Sequence, residues 1–233
     1  MFSFQSGPEP LQVALWLLGA FLAGSIPFGL LAVRLAGKGD VRAHGSGNIG
    51  ATNVSRVAGK GMGLLVLLLD AAKGFLPVFF ASRAELPVDL QAAAALAAVA
   101  GHVFTPWLGF KGGKGVATAL GAALAFRAPA VLPSFIAFVL LLALFRYVSL
   151  GSVVGTAILP VAMGWPQETV HRGAFLGLKM ELATRQQDPW QATFFWALLA
   201  LLVIAKHHEN IRRLFNGTES KLWGAKKQEG ADA

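Results

Sequence analysis

The chain has 233 residues, is 55% hydrophobic and only 14% charged, and carries a formal net charge of +8. A soluble domain usually holds about a quarter charged residues, so this composition excludes an ordinary soluble protein and points to an integral membrane one. Cysteine is absent, which excludes a disulfide framework, a thiolate nucleophile and a cysteine-based metal site; the five histidines lack His-Glu-x-x-His spacing, which argues against a zinc hydrolase.

The segment from Met1 to Gln12 contains Glu9 and no Lys or Arg. It lacks the basic start of a secretory signal, so the first helix is expected to be retained. A spanning helix needs roughly 17–25 mostly apolar residues, and runs that reach or approach this are 11–33, 62–81, 90–107, 115–126, 130–145, 150–164 and 190–205. An all-α fold with seven transmembrane helices is predicted, as a single domain over 1–233. Ser25-Ile26-Pro27 and Gly29 interrupt the first run, because proline frees backbone carbonyls and opens a kink. Asp70 and Lys73 lie at i,i+3 spacing in the second, where pairing lowers the cost of burial. The fourth run is short: about a dozen residues cover ~18 Å, so a re-entrant segment is the alternative there. Between the last two runs, 169–178 reads as a short interfacial helix or a plain connecting loop. The polar tail 224–233 is expected to be disordered.

Charge bias arbitrates the crossing count. With seven spans, 14 of the 20 Lys and Arg fall on one face, in 34–61, 108–114, 146–149 and 206–233. If the fourth run did not cross, the basic tail would move to the opposite face. The expected topology therefore has the N-terminus outside and the C-terminus cytoplasmic.

Three glycine-rich or basic stretches fall on that cytoplasmic face. In the first, Gly45-Ser46-Gly47-Asn48-Ile49-Gly50-Ala51-Thr52-Asn53, a helix capped by Asn48 or Thr52 is expected, and its N-terminus would offer free N–H groups to an oxyanion. Ser46 and Asn53 add side-chain donors, and Arg56 can grip two oxygens. An ordinary turn is the plain alternative. The second, Phe110-Lys111-Gly112-Gly113-Lys114-Gly115, resembles a nucleotide P-loop superficially, but Gly115 stands where Ser or Thr is required and no strand precedes it. Backbone donors with a lysine still suit a phosphoryl group; a loop that only fixes topology is the alternative. The third follows the last run, where His207 and Asn210 can share a helical face. Ser149 and Ser152, beside Arg146, either donate to phosphate or cap a helix.

Taken together, Gly45-Ser46-Gly47-Asn48-x-Gly50-Ala51-Thr52-Asn53-x-x-Arg56, then His102 with Phe110-Lys111-Gly112-Gly113-Lys114-Gly115-Val116-Ala117-Thr118, then His207-x-x-Asn210-Ile211-x-Arg213-Leu214 with Gly217-x-Glu219, resemble the PlsY family of bacterial acyl-phosphate:glycerol-3-phosphate acyltransferases. The resemblance implies transfer of an acyl group from acyl phosphate to the 1-hydroxyl of glycerol 3-phosphate, giving lysophosphatidate and phosphate in phospholipid biosynthesis. It implies Ser46, Arg56, His207 and Asn210 as catalytic, and Gly45, Gly47, Asn48, Asn53, Lys111, Gly112, Gly113, Lys114, Gly115, Ser149 and Ser152 as substrate-binding. His207 would be a base or a phosphate ligand, with a substrate phosphate as the other proton acceptor; Glu219 would organise the basic tail. No cofactor, metal or nucleic acid is implied. The partners would be membrane lipids and the soluble enzyme that makes acyl phosphate, and the location the bacterial inner membrane with the site facing the cytoplasm.

Other classes fit these residues less well. Acyl-CoA-dependent glycerophosphate acyltransferases use a His-x4-Asp pair, and none of His44, His102, His171, His207 or His208 has Asp five residues on. A transporter of a phosphorylated metabolite also needs an anion site, but such sites lie near the bilayer midplane, often within paired repeats, and no repeat is evident.

Overall fold

The computed structural model describes residues 8–164, 173–175, 178–180 and 189–222. Its helices are α1 (Pro10–Ser25), α2 (Phe28–Leu35), α3 (Ala51–Ala58), α4 (Lys60–Arg83), α5 (Val88–Val103), α6 (Val116–Phe145), α7 (Val148–Gly164), α8 (Pro189–Ala205) and α9 (His208–Phe215). By length and composition four segments can cross a membrane: 10–35, α4, 88–108 and α6. Taken as one span, the bent pair α8–α9 is a fifth, and α7 is a shorter apolar helix. Leucines and phenylalanines such as Leu64, Leu68, Leu132, Leu140 and Phe194 are exposed along these helices, as expected where lipid is the solvent.

α1 and α2 are separated at Ile26-Pro27, as the proline requires. The Ser25 carbonyl accepts from Thr105 Oγ1 (2.6 Å), and the Ile26 carbonyl accepts from Lys73 Nζ (2.8 Å). Backbone acceptors freed inside an apolar medium must find such partners.

α6 is not one straight rod. Arg127 has non-helical backbone (φ −159°, ψ 83°), with Pro129 two residues on. Residues 116–126 pack on α4 and touch α8 only at points, with Gly115 facing Val203 and Phe126 edge-on to Trp196 at 5.3 Å. Arg127 Nη1 then donates to the Met163 carbonyl at the far end of α7 (2.9 Å). Residues 128–145 return along α7, with Phe138 over Gly151 and Ser134 over Gly155, until the Arg146 carbonyl accepts from Leu222 N–H (2.8 Å). A straight 30-residue helix would be about 45 Å long. Here both ends approach one side-chain cluster, so the chain doubles back at Arg127.

Two glycine crossings bring helices to backbone contact. A Cβ at Gly74 would strike the Thr118 carbonyl and one at Gly121 the Ala71 carbonyl, joining α4 to α6; Gly24 meets Ala98 and Gly101 meets Phe21 in the same reciprocal way, joining α1 to α5. Small residues permit this approach where no hydrophobic force drives helix association. The main core gathers Val78, Val99, Val103, Ala119, Ala122, Leu159, Trp196, Leu199 and Val203.

One reading of the sequence is overturned. Residues 173–175 and 178–180 pair as antiparallel strands, Gly173 opposite Met180, instead of the short interfacial helix considered for 169–178. Gly173 and Gly177 each weaken a helix by about 1 kcal/mol relative to Ala. Apart from this hairpin the described residues contain no strand. The tail 224–233 lies outside the described residues.

Candidate active site

The first stretch forms a turn held by one side chain. Gly45 and Gly47 have φ of +61° and +68°, a region that favours glycine. Asn53, 1% exposed, donates through Nδ2 to the carbonyls of Val41, His44 and Asn48, while its Oδ1 accepts from Ser46 N–H. Asn53 is therefore fully engaged in shaping the loop and is not open to a ligand. Asn48 Oδ1 likewise accepts from Gly50 N–H (2.8 Å). The expected cap at Asn48 or Thr52 is corrected: Gly50 is the N-cap of α3 and no side chain caps that helix. Ser46 and Arg56 are both exposed at the rim. Asn53→Ala should cost about 2–4 kcal/mol, since it orphans several backbone groups at once. A fall in the thermal midpoint of the purified protein, together with lost activity, is the expected result.

The second stretch differs from a free anion cradle. N–H groups of Gly112 and Gly113 donate to the carbonyls of Val103 and His102, and those of Phe110 and Lys111 to Thr105 and Leu108. These four donors close the end of α5 and its following turn, and the expectation that the Gly112 and Gly113 amides face a ligand does not hold. Gly115 (φ +84°) is the N-cap of α6 without a side-chain cap. Among the described residues, the N–H groups of Lys114 and Gly115 have no acceptor, and those opening α6 are the usual unpaired donors of a helix start. Lys111 is exposed.

The third stretch converges on Lys114. Lys114 Nζ donates to Asn210 Oδ1. Asn210 Nδ2 donates to Glu219 Oε1 (2.7 Å), which also accepts from Ser149 Oγ (2.7 Å), while Glu219 Oε2 accepts from Arg213 Nε (2.8 Å). Arg56 lies close enough to contribute to the field at Lys114, and Leu108 packs against the apolar cluster that contains Ile49 of the first stretch and its neighbours Val41 and Val54. All three stretches thus meet at one end of the bundle. Ser152 does not join them; its hydroxyl donates to the Val148 carbonyl within α7 (2.8 Å).

Burial pushes the Lys114 ammonium down from its usual pKa, opposed by Glu219 and reinforced by Arg213. Burial also pushes the Glu219 carboxyl up, but hydrogen bonds from Arg213, Asn210 and Ser149 outweigh this and hold it below its usual value. It stays an anion, able to brace Asn210 and Arg213.

His207, 2% exposed, places Nδ1 2.7 Å from the Val203 carbonyl. Burial, with the charge of Lys114, pushes its pKa down to about 4, against the opposing pull of the Val203 bond and Glu219. The ring is therefore neutral near pH 7. A carbonyl only accepts, so the proton resides on Nδ1 and Nε2 keeps its lone pair. An imidazole in that state accepts from a hydroxyl and repels an oxyanion. In an imidazole NMR titration of the substrate-free enzyme, assigned with His207→Gln, this ring should show no transition between pH 6 and 8 and should protonate near pH 4; a midpoint above 6 would contradict the reading.

Arg213 and Glu219 belong to the cluster although the sequence reading leaves Arg213 unassigned and gives Glu219 only a part in organising the tail. The available signal is Asn216-Gly217, a helix stop: Gly217 (φ +68°) lets Thr218 N–H donate to the Arg213 carbonyl, which folds 218–222 back over α9. A cavity of about 460 Å³ between α1 and α4 is lined by apolar groups such as Leu15, Trp16, Leu76 and Phe80. It lies beyond the Ser25–Pro27 break from Lys114 and is separate from this cluster.

The glycerol-3-phosphate acyltransferase family model matches residues 14–217. A glycerol-3-phosphate acyltransferase from Trichlorobacter lovleyi is 46% identical, over 89% of this chain and 96% of its own length. One from Geobacter sulfurreducens is 43% identical over 87% and 94%. Among solved structures, the glycerol 3-phosphate form of PlsY (YgiH), an integral membrane glycerol 3-phosphate acyltransferase, superposes with a TM-score of 0.76 at 36% identity, covering 91% of this chain and 96% of the other; its lysophosphatidic acid form gives 0.73 at the same identity. The conserved length, the membrane helices and the matched family model together place this chain in the glycerol-3-phosphate acyltransferase family, as an integral membrane acyltransferase.

Proposed function

We propose that this enzyme transfers an acyl group from acyl phosphate to the 1-hydroxyl of glycerol 3-phosphate. The observation that carries the reading is the Lys114–Asn210 hydrogen bond, which joins stretches 96 residues apart and gathers cations of three connectors at one end of the bundle. Both substrates bear phosphate, and the solved relatives are named for their glycerol 3-phosphate and lysophosphatidic acid forms.

Acyl phosphate is already a mixed anhydride, so positioning and charge neutralisation supply much of the acceleration and no protein nucleophile is required. Lys114 and Arg56 neutralise phosphates, with the open amides of Lys114, Gly115 and the start of α6 as further donors. Ser46 and Asn210 orient the substrates. His207 Nε2 accepts a hydrogen bond from the attacking hydroxyl. That hydroxyl oxygen bonds to the acyl carbon, the bond from carbon to phosphate oxygen breaks, and the hydroxyl proton ends on the departing phosphate, directly or through His207. Lys111 at the rim attracts the anionic substrates.

The reversal at Arg127 supports seven crossings, because 116–126 and 128–145 then cross separately. The charge bias supports a site on the cytoplasmic side, and the bacterial relatives support an inner membrane, within reach of the soluble enzyme that makes acyl phosphate. Incubating the purified protein with glycerol 3-phosphate and either palmitoyl phosphate or palmitoyl-CoA tests the donor. Lysophosphatidate with equimolar phosphate, from palmitoyl phosphate alone, is expected; an equal yield from palmitoyl-CoA, or no ester, refutes the proposal.

A further inference from the structure

Beneath the glycine loop lies a buried ionisable group of three that the reaction above does not use. Asp70 and Lys73 of α4 and His102 of α5 are 2%, 4% and 3% exposed. Lys73 Nζ stands 2.9 Å from Asp70 Oδ1 and donates to the Ile26 carbonyl at 2.8 Å; His102 Nδ1 lies 3.7 Å from the same Asp70 oxygen. The opposite edge of the imidazole faces the site. A Cβ at Gly113 would strike Nε2, and its three nearest neighbours are all atoms of this ring. Gly113 N–H donates to the His102 carbonyl (3.1 Å), and the next residue is Lys114.

Desolvating a charged pair costs several kcal/mol per ion, which the pair's attraction often fails to return, so it is weak evidence for stability. Here the group spans two irregular segments of backbone, the Ser25–Pro27 break and the Gly112-Gly113 turn. A second set of contacts ties the same two places together: Thr105 Oγ1 to the Ser25 carbonyl and Trp107 Nε1 to Ser25 Oγ (2.9 Å). The loop that ends in Lys114 is thus seated on a polar support fixed in three helices.

We propose that Asp70, Lys73 and His102 are positioning residues that act through the His102 ring, which sets the place of Gly113 and thereby holds the Lys114 ammonium against Asn210 and the substrate phosphate. The ring's Nε2 edge needs glycine at 113, and Asp70, 3.7 Å from Nδ1, bounds the ring at the other edge. Lys73 anchors Asp70 to the break in the first span. The inference rests on the acyl-transfer reading for the meaning of Lys114, and for its assay.

The test is a double-mutant cycle in purified, monodisperse enzyme. His102→Ala should raise KM for a phosphorylated substrate about tenfold, and Asp70→Asn should raise it severalfold. In a Lys114→Ala background the His102 change should cost less than twofold more, because its route to the substrate is gone. Gly113→Ala should impair the enzyme, and adding His102→Ala to it should restore part of the loss by making room for the methyl group. A role in folding alone predicts fewer active molecules with unchanged KM, and effects that multiply with Lys114→Ala; either result overturns the inference. If His102→Ala does not fold, Asp70→Asn carries the same cycle. A wild-type enzyme that forms no ester refutes the acyl-transfer reading instead, and the cycle is then read from glycerol 3-phosphate affinity by calorimetry in the same variants.

Discussion

Lys114→Ala should lower kcat/KM by about 10²–10³, the range found when a charged or preorganised donor is removed from a reacting centre. The lysine directly precedes the N-cap of α6, is partly buried, and is held by Asn210 among Arg56, Arg213 and Glu219. Removing it deletes a cation where two phosphates must gather and leaves Asn210 without one of its partners. Lys114→Arg should recover little, since a planar guanidinium cannot occupy the place of a compact ammonium beside Asn210. Lys111→Ala is the contrast: that side chain is exposed, and a loss of only a few fold, growing at low ionic strength, is expected. Steady-state kinetics on matched preparations check all three. Equal losses at 111 and 114 would contradict the assignment.

Gly121→Leu should abolish folding. A Cβ at Gly121 meets the Ala71 carbonyl, so the smallest substitution already separates α4 from α6. Overpacking of this kind typically costs about 1–3 kcal/mol, occasionally more, and a leucine adds three further carbons in the same place. Because α6 begins two residues after Lys114, the same displacement shifts the anion site, so Gly121→Ala should lose activity even where it folds. Gly61 in α4 has nothing within 4 Å of a built Cβ, and Gly61→Ala should leave both the thermal midpoint and the activity close to wild type. Size-exclusion profiles and thermal unfolding in detergent separate these cases; a monodisperse, fully stable Gly121→Leu protein would mean that the α4–α6 crossing is misplaced.

Much of this was legible in the residues, for physical reasons that differ from place to place. The apolar runs marked the helices closely, since a spanning segment must satisfy its backbone internally. The break at Pro27 and the Asp70–Lys73 pair followed from local rules of spacing and proline chemistry. The short run 115–126 was ambiguous by length, and only the contacts of Phe126, Arg127 and Ser134 show that it is the first arm of a hairpin. At the site, composition pointed to the right stretches but not to who bonds whom. Asn53 looks like a ligand donor in sequence, yet its amide is consumed by the loop it folds. The Gly112 and Gly113 amides look free, but the end of α5 left carbonyls unpaired nearby and took them. The support of the loop by His102 depends on α4 and α5 lying side by side, which no local pattern encodes. Arg213 and Glu219 are drawn in by a helix stop whose partner, Ser149, lies 70 residues away from Glu219.

The shared face of the three connectors can be measured directly, because the chain has no cysteine and single cysteines report without background. Lys38→Cys, Lys111→Cys and Asn216→Cys should react with a membrane-impermeant maleimide only from the cytoplasmic side of inner-membrane vesicles, whereas Glu85→Cys and Ala128→Cys should react only from the opposite side. Labelling of Lys38→Cys and Lys111→Cys from opposite sides, or of Ala128→Cys from the same side as both, would contradict a single anion site built from all three connectors.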